Sequence, residues 1–315
     1  YNKWSEFYLN KNNTQIGFFF FLRKIPATYD KFAFNNWLDF KHLLTDDFLD
    51  YLNDIKNRKN RKIKVVPIFF GYNINESEIH WISCMVDFSD LPIKGYPVKD
   101  SRGIKIKGKW KGHLVDREIR WNITRNSSYK YFFGRGKFCE KIVDSKILII
   151  GLGAVGSMVA KTLVKCGIKN LALTDYDTKE PENVCRSEYT FANGFQEKTN
   201  ELIQVLLENS PFVDITFFNN SECFESVIKS YYKNSEAKKD YEKSLNQFDI
   251  IFNCSTDNDL VYIFDQLNLN SDLINLSITN HANDLVCAFY PNIYNFVQNQ
   301  FVNVLENDVD DLYKP

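Results

Sequence analysis

The stretch from Lys146 to Arg186 constrains the fold more than any other part of this 315-residue chain. It opens with an apolar run at 147–150, short enough for a buried parallel strand. After a glycine turn, an apolar segment of helical periodicity covers 154–166 and ends at Gly167, where a C-terminal cap would lie. A second apolar run, 171–174, leads to Asp175 and Asp177. This order predicts a β-α-β unit that places a glycine turn and a helix N-terminus beside a phosphate group.

The glycine turn itself has the spacing G-x-G-x-x-G, formed by Gly151, Gly153 and Gly156. Such a pattern alone is weak, but here it lies between a predicted strand and a predicted helix, the context that it requires. We therefore predict a nucleotide site. The simplest interpretation is a nicotinamide-binding unit in which Asp175, 24 residues after Gly151, binds a ribose hydroxyl.

Composition limits the classes of partner and compartment. The chain is 44% hydrophobic and 25% charged, which is ordinary for a globular protein. A net charge of -1 gives no reason to expect a nucleic-acid or membrane partner, and no apolar run approaches the length of a bilayer span. Seven cysteines without a C-x-x-C pair fit reduced thiols better than a disulfide framework, so we expect a cytoplasmic protein.

A shift in composition predicts two domains. All five tryptophans lie in the first 121 residues, whereas the nucleotide-type motifs follow residue 145, which suggests a boundary near 125–142. We expect an N-terminal α+β domain over 1–128 and a nucleotide-binding domain over 129–315. In the first, Thr45 or Asp46 caps a predicted helix that ends near Ile55, and strands are predicted at 63–70, 79–86 and 104–109. It carries no recognisable nucleotide motif.

Strands and helices alternate after the β-α-β unit. Helices are predicted at 194–208, 221–243 and 257–267, and strands at 213–217, 248–253, 273–278 and 285–289. Alternation of this kind predicts a doubly wound, mostly parallel α/β sheet with right-handed crossovers and a ligand at the carboxyl ends of the strands. The acidic stretch at 306–311 has no obvious closing element.

The residues after the second predicted strand are not those of a dehydrogenase. In chain order the motif elements are the glycine turn, Asp175 and Asp177, Asn183 and Arg186 in the form N-x-x-R, Gly194 and Lys198, and Asp257 and Asn258 after a later strand. In this order they resemble the adenylating superfamily of ubiquitin-activating enzymes and their bacterial ThiF-like relatives, which activate the thiamine and molybdopterin sulfur-carrier proteins. The resemblance covers about 130–290. The segment from Asn126 to Arg135 is most similar to bacterial members found with ubiquitin-like conjugation or antiviral-defence operons.

The resemblance implies ATP-dependent adenylation of the C-terminal carboxylate of a small ubiquitin-like or sulfur-carrier protein. Both reactants are anions, so the site must supply fixed positive charge. By resemblance, Arg186 and Lys198 are those cations and Asp257 is the Mg²⁺ ligand. Gly194 and Lys198 are four residues apart, where the family usually has three.

Further roles carried over from the family concern the nucleotide and the assembly. Asp177 is expected at the ribose, Asn183 at a phosphate oxygen, and the backbone around Gly153 and Ala154 at the α-phosphate. A homodimer is expected, in which Arg135 reaches the nucleotide of the opposite subunit, with Arg125 as the second candidate.

Some of these residues could instead have purely structural roles. Arg186 could form a surface ion pair with Glu182 or Glu188, and Asp257 could serve as a helix N-cap. Ubiquitin-activating enzymes pass the adenylate to a cysteine, but we expect Cys185, Cys254 and Cys287 to be packed rather than reactive. The zinc-binding C-x-x-C pairs of many relatives are missing.

Alternatives also remain for the whole protein. They are a nicotinamide-dependent oxidoreductase, a catalytically silent scaffold of the same fold, and an enzyme that adenylates a peptide in natural-product synthesis. The N-terminal domain could be an inactive adenylation half, a partner-recruiting module or a conjugating-enzyme-like domain; we predict that it does not bind ATP. A separate conjugating enzyme is a further candidate partner.

Overall fold

The computed structural model describes residues 17–26, 35–40, 44–58, 64–76, 78–95, 97–107, 110–192, 194–218, 235–279 and 282–312. These residues form two compact units that meet in the chain between Ser128 and Tyr129. No helix in the described ranges combines the length and the apolar character needed to cross a bilayer.

The N-terminal unit is a helix packed against a sheet. In chain order it contains β1 (Phe18–Phe21), α1 (Asp46–Asn57), β2 (Val65–Asn75), β3 (Glu78–Asp87), β4 (Ile93–Lys94), β5 (Pro97–Lys99), β6 (Lys105–Lys107), β7 (Trp110–Lys111) and β8 (Arg120–Asn122). The main sheet has the order β1-β2-β3-β8, with β1 and β2 parallel. Thr45 caps α1 by accepting a hydrogen bond from the Phe48 N–H at 3.3 Å, and Phe48, Leu52 and Ile55 are buried. The predicted helix and its capping residue are confirmed.

The C-terminal unit is built around a six-stranded sheet. Its elements are α2 (Tyr129–Phe133), α3 (Glu140–Val143), β9 (Lys146–Ile150), α4 (Ala154–Lys165), β10 (Asn170–Thr174), α5 (Pro181–Val184), α6 (Lys198–Asn209), β11 (Asp214–Phe217), α7 (Ser235–Leu245), β12 (Ile250–Asn253), α8 (Asn258–Asp265), β13 (Asp272–Thr279), β14 (Asp284–Phe289) and α9 (Ile293–Leu312). The strand order is β11-β10-β9-β12-β13-β14, and only the β13–β14 pair is antiparallel. The predicted doubly wound, mostly parallel sheet is confirmed.

The central strand β9 shows why the sheet is covered on both faces. Ile147 and Ile149 pack on one face, in a core that includes residues of α4 and α6. Leu148 and Ile150 pack on the other, with residues of α7, α8 and α9. Since side chains alternate along a strand, a continuous apolar run serves two cores at once.

Several element boundaries differ from the prediction. The helix expected from Gly194 begins at Lys198, because Gly194 has a φ of +64° and Glu197 forms a β-bridge with Thr178. Within the helix expected at 221–243, the structure describes only 235 onward. The acidic stretch at 306–311 belongs to α9, whose existence the sequence reading missed. The first turn of α9 is held by Asp265, which accepts hydrogen bonds from the backbone N–H groups of residues 292–294.

Candidate active site

A cavity of about 530 Å³ opens at the carboxyl ends of β9, β10 and β12. Between β9 and β12 the strand order reverses, and in open α/β sheets this is where ligands bind. The volume lies within the range of small-molecule sites, roughly 300–1,000 Å³. Nine of the twelve residues predicted for the site line the cavity: Gly151, Gly153, Ala154, Asp175, Asp177, Asn183, Arg186, Lys198 and Asp257.

The glycine turn has two glycines that the fold itself requires. Gly151 has a φ of +81°, and a Cβ there would lie 2.6 Å from the Ser255 backbone nitrogen. A Cβ on Gly156 would lie 1.9 Å from the Gly151 carbonyl oxygen. Gly153 is different, because a Cβ there would meet no described atom within 4 Å and the residue faces the cavity as the N-cap of α4. Of these three glycines, only Gly153 is therefore placed to let a ligand come close to the backbone.

Asp175 holds the glycine turn rather than presenting a free carboxylate. Its Oδ2 accepts a hydrogen bond from the Leu152 N–H at 2.6 Å, and its Oδ1 accepts one from the Asp177 N–H at 2.8 Å. Both oxygens are thus occupied by backbone donors. The residue lines the cavity but its main effect is to fix the turn against the end of β10.

Asp177 and Lys198 form an ion pair at the cavity wall. The Lys198 Nζ lies 2.8 Å from Asp177 Oδ2, and the Lys198 side chain is 10% exposed while that of Asp177 is 49% exposed. The Lys198 N–H also donates to the Asp177 carbonyl oxygen at 3.0 Å. The start of α6 is therefore anchored beside the end of β10, and the ammonium group faces the cavity from a nearly buried position.

Asn183 and Arg186 lie on the short segment around α5. Asn183 Oδ1 accepts a hydrogen bond from the Glu180 N–H at 3.0 Å, which leaves the amide Nδ2 as the group available to a ligand oxygen. No described carboxylate lies within 4.0 Å of the Arg186 guanidinium, and Glu188 pairs with Lys161 instead. Arg186 therefore forms no direct ion pair with Glu182 or Glu188 in the described structure, although hydrogen bonds and then the charge of Arg186 lower the pKa of the Glu182 carboxyl.

Asp257 is the N-cap of α8. Its Oδ1 accepts hydrogen bonds from the Asp259 N–H at 2.9 Å and the Leu260 N–H at 3.1 Å, so the capping alternative is confirmed. Within the described structure these bonds use Oδ1, which leaves Oδ2 available to a cation. No cluster of three or more His, Cys, Asp or Glu residues that could hold a metal forms among the described residues. A single carboxylate is nevertheless a donor set that suits Mg²⁺ when substrate phosphates supply further oxygens.

Three predicted residues do not line the cavity. Gly156 is buried inside α4, where it permits the close approach to Gly151. Asn258 begins α8, and its Oδ1 lies 3.4 Å from Gln298 Nε2 on α9. Arg135 lies in a single 3₁₀ turn, 134–136, and is exposed. Gly156 is thus placed for packing, Asn258 is exposed at the start of α8, and Arg135 does not reach the cavity of its own chain.

Sequence reasoning missed part of the cavity wall. Tyr176, Ser187, Ser255 and Thr256 line it, together with the stretch 276–278 at the carboxyl end of β13. The strand-end rule could have identified 276–278, because a strand was predicted at 273–278 in a mostly parallel sheet. The pKa of the Tyr176 phenol is raised, most strongly by the charge of Asp177 and then by burial, Asp175 and Asp257. The hydroxyl therefore stays protonated.

Two of the three cysteines considered, Cys185 and Cys287, differ from the expectation that they are packed. Cys254 lines the cavity, and burial raises the pKa of its thiol to about 12, which keeps it neutral at physiological pH. Cys185 and Cys287, expected to be packed, are exposed. Cys287 lies on the edge strand β14, and Cys185 directly precedes Arg186. Cys223 lies outside the described residues.

Comparison with known proteins gives one family match and partial matches to relatives. Residues 124–270 match the model of the ThiF family. The chain is 22% identical over 290 residues to the ATP-dependent ubiquitin transferase-like protein Cap2 of Enterobacter hormaechei, which covers 88% of this chain and 46% of that protein. It is 38% identical over 79 residues to ubiquitin-like modifier-activating enzyme 5 of Arabidopsis thaliana, covering 25% of this chain and 18% of the relative. The chain thus spans less than half the length of these relatives.

Solved structures of similar shape include two of Escherichia coli MccB. The complex with ATP has a TM-score of 0.36 at 21% identity and covers 45% of this chain and 39% of that one. The complex with MccA-N7isoASN has a TM-score of 0.39 at 20% identity and covers 48% and 40%. Similarity at this level carries no conclusion, so the fold rests on the strand order above. The family match over 124–270 confirms the resemblance inferred from the motifs.

Proposed function

We propose that this chain, which carries a ThiF family domain over residues 124–270, is an ATP- and Mg²⁺-dependent adenylyltransferase. Its substrate is the C-terminal carboxylate of a small ubiquitin-like or sulfur-carrier protein. One observation carries the proposal: the glycine turn, a nearly buried Lys198 and the Arg186 guanidinium, which has no described carboxylate within 4.0 Å, all line one cavity.

The reaction needs positive charge that is already in place. A carboxylate oxygen of the carrier attacks the α-phosphorus of ATP, and the bond to the pyrophosphate oxygen breaks. Negative charge develops on the phosphoryl oxygens, so fixed cations and backbone N–H groups lower the barrier. Arg186 offers a planar fork of donors and Lys198 a point charge. The N-terminus of α4 adds backbone N–H groups at Ala154 and the residues after it.

The acidic side chains then take distinct roles. Asp175 is occupied by backbone donors and acts on the turn. Asp177 orients Lys198 and keeps an exposed edge for the ribose. Asp257 would hold Mg²⁺ through Oδ2, and the ion would neutralise phosphate charge next to that carboxylate. Without a cation, Asp257 and the triphosphate would repel each other.

The nicotinamide alternative gives no role to Arg186, Lys198 and Asp257, which line the same cavity. In that interpretation Asp175 binds the ribose hydroxyls, in addition to the backbone N–H bond that each of its oxygens already accepts. The scaffold alternative gives no reason to keep an Arg186 that pairs with no described carboxylate. Protection from thermal unfolding by ATP with Mg²⁺, and none by NAD, is the expected result. Protection by NAD alone would favour the oxidoreductase.

The assembly forms part of the proposal. Arg135 is exposed and does not line the cavity of its own chain, so we assign it to the site of a second copy in a homodimer. The next acceptor of the activated carrier in this proposal is a conjugating enzyme. The proposed location is the cytoplasm. The name of the Cap2 relative, a ubiquitin transferase-like protein, supports the choice of carrier class.

A direct test follows the carrier itself. The chain, ATP and Mg²⁺ are incubated with each small ubiquitin-like protein encoded beside its gene, and the carrier is weighed by intact mass spectrometry. We expect a carrier that gains one AMP, no gain for the same carrier ending in an amide, and no gain with Arg186→Ala. A carrier–chain adduct that hydroxylamine cleaves and a phosphine reductant leaves intact would add thioester transfer to an exposed cysteine. AMP gain by the amide-ended carrier would refute the assignment of the carboxylate.

A further inference from the structure

The segment that carries Asn183 and Arg186 is attached to the domain mainly through its two ends. In the described structure the hydrogen bonds of residues 181–187 stay within the segment and its Glu180 cap, for example Asn183 N–H to the Glu180 carbonyl oxygen. Val184 is half-buried and packs on the core. The position of the Arg186 backbone therefore depends on what holds the residues before and after the segment.

Residues on either side of the segment, Lys179 and Thr190, meet at one buried ion pair, while Glu188 is bound separately to α4 through Ser157 and Lys161. The Lys179 Nζ lies 2.5 Å from Glu201 Oε2, with side chains only 4% and 0% exposed. The same ammonium donates to the Thr190 carbonyl oxygen at 2.7 Å. Thr190 in turn donates to Glu201 Oε1 from its backbone N–H at 2.9 Å and from its hydroxyl at 3.0 Å. Lys179 and Thr190 are thus tied to each other and to Glu201.

Glu201 also connects this tie to the second cation of the site. It lies on α6 three residues after Lys198, so both side chains belong to the first turns of the same helix. Hydrogen bonds from Lys179 and Thr190 outweigh the effect of burial and lower the pKa of the Glu201 carboxyl. The Glu201 side chain is therefore a carboxylate, and its contact with Lys179 fixes the segment of Arg186 relative to the helix of Lys198.

We propose that Lys179 and Glu201 are positioning residues for nucleotide chemistry, which set the distance between Arg186 and Lys198. Neither Lys179 nor Glu201 lines the cavity, so their effect passes through the segment. This inference rests on the proposed adenylation. Misplacement of a reacting group by about 1 Å can slow an enzymatic step by roughly a hundredfold, so a loosened segment should lower the turnover rate far more than ATP affinity.

The test is the double variant Lys179→Met/Glu201→Gln. A glutamine at 201 keeps an acceptor for Thr190, and the methionine removes the buried charge, so the variant avoids an uncompensated ion. The matched control is Lys169→Met/Asp144→Asn, which removes an exposed pair of the same unit, with side chains 42% and 58% exposed. Thr190→Val, which removes a single hydrogen bond to Glu201, is the milder second variant.

Two readouts are measured on each protein: amide hydrogen exchange of 180–189, and the kcat and KM for ATP in pyrophosphate exchange. In the double variant we expect faster hydrogen exchange confined to this segment and a kcat lowered at least about tenfold, with KM for ATP within about threefold. Thr190→Val should change the hydrogen exchange and the kcat in the same directions but by smaller amounts. The control should match the wild type.

The outcomes separate the two proposals. If the wild type catalyses no pyrophosphate exchange, the adenylation proposal fails, while hydrogen exchange still decides whether the pair holds the segment. Unchanged hydrogen exchange at 180–189 in both variants would overturn the positioning role. So would a loosened segment with an unchanged kcat, or a double variant whose only defect is a uniformly lower melting temperature.

Discussion

Replacing Gly151 and Gly153 separately by alanine should divide the glycine motif into a folding part and a ligand-binding part. In Gly151→Ala the new Cβ would lie 2.6 Å from the Ser255 backbone nitrogen and 2.9 Å from the Cys254 carbonyl carbon. Backbone atoms cannot rotate away, so the loop after β12 must move. The φ of +81° adds the strain of a left-handed conformation.

The magnitude follows from these two terms. A left-handed conformation costs an alanine about 1–2 kcal/mol, and overpacking of a well-packed site costs about 1–3 kcal/mol. The free energy of unfolding should therefore fall by roughly 2–5 kcal/mol, and the melting temperature of a domain of this size by roughly 4–20 °C. Gly153→Ala should cost less than about 1 kcal/mol, since its Cβ meets open space and the main loss is a slightly poorer N-cap.

The assay pairs thermal unfolding with ATP binding to each folded variant. We expect Gly151→Ala to melt well below the wild type. Gly153→Ala should melt close to the wild type but bind ATP more weakly, because its methyl group enters the cavity. Equal melting temperatures for the two variants would refute the reasoning, and so would normal ATP binding by Gly153→Ala.

Three further predictions concern metal, assembly and thiols. Asp257→Ser should keep the cap of α8 and the stability of the protein but lose Mg²⁺-dependent pyrophosphate exchange. Asp257→Ala should in addition lose about 0.5–2 kcal/mol of unfolding free energy. Full pyrophosphate exchange by Asp257→Ser would exclude the metal role. Mixing inactive Arg135→Ala with inactive Arg186→Ala should restore about a quarter of wild-type activity, since half of randomly assorted dimers contain one complete site; no recovery after confirmed subunit exchange would exclude action across subunits. Iodoacetamide at pH 8 should modify Cys185 but not Cys254, because burial raises the pKa of the Cys254 thiol to about 12; peptide mass spectrometry showing equal labelling would contradict that.

The sequence was most informative where one local rule fixes the backbone. The apolar run of β9 lies in a sheet covered on both faces, so its burial could be predicted without knowing the partners. Gly151 was predictable because a glycine between a strand and a helix has a geometric reason to be there. Asp257 was predicted both as a cap and as a metal ligand, and the structure shows the cap while leaving one oxygen available.

What the sequence did not reveal depends on tertiary neighbours. The helix α9 is rich in asparagine, a poor helix former, and it is anchored by Asp265, which is distant in the chain. Exposure of Cys287 follows from β14 being an edge strand, which a local apolar run cannot indicate. The Lys179–Glu201 pair joins residues 22 positions apart through a loop closure that no spacing rule predicts.

Exchange of labelled pyrophosphate into ATP tests the central claim most directly. It is measured on the purified chain with Mg²⁺, with and without each small ubiquitin-like protein encoded beside its gene, and with Arg186→Ala as the inactive reference. The account predicts exchange that depends on one carrier and on its free C-terminal carboxylate, and that is lost in Arg186→Ala. Neither exchange nor ATP binding with any carrier would contradict the assignment of the cavity as a nucleotide site.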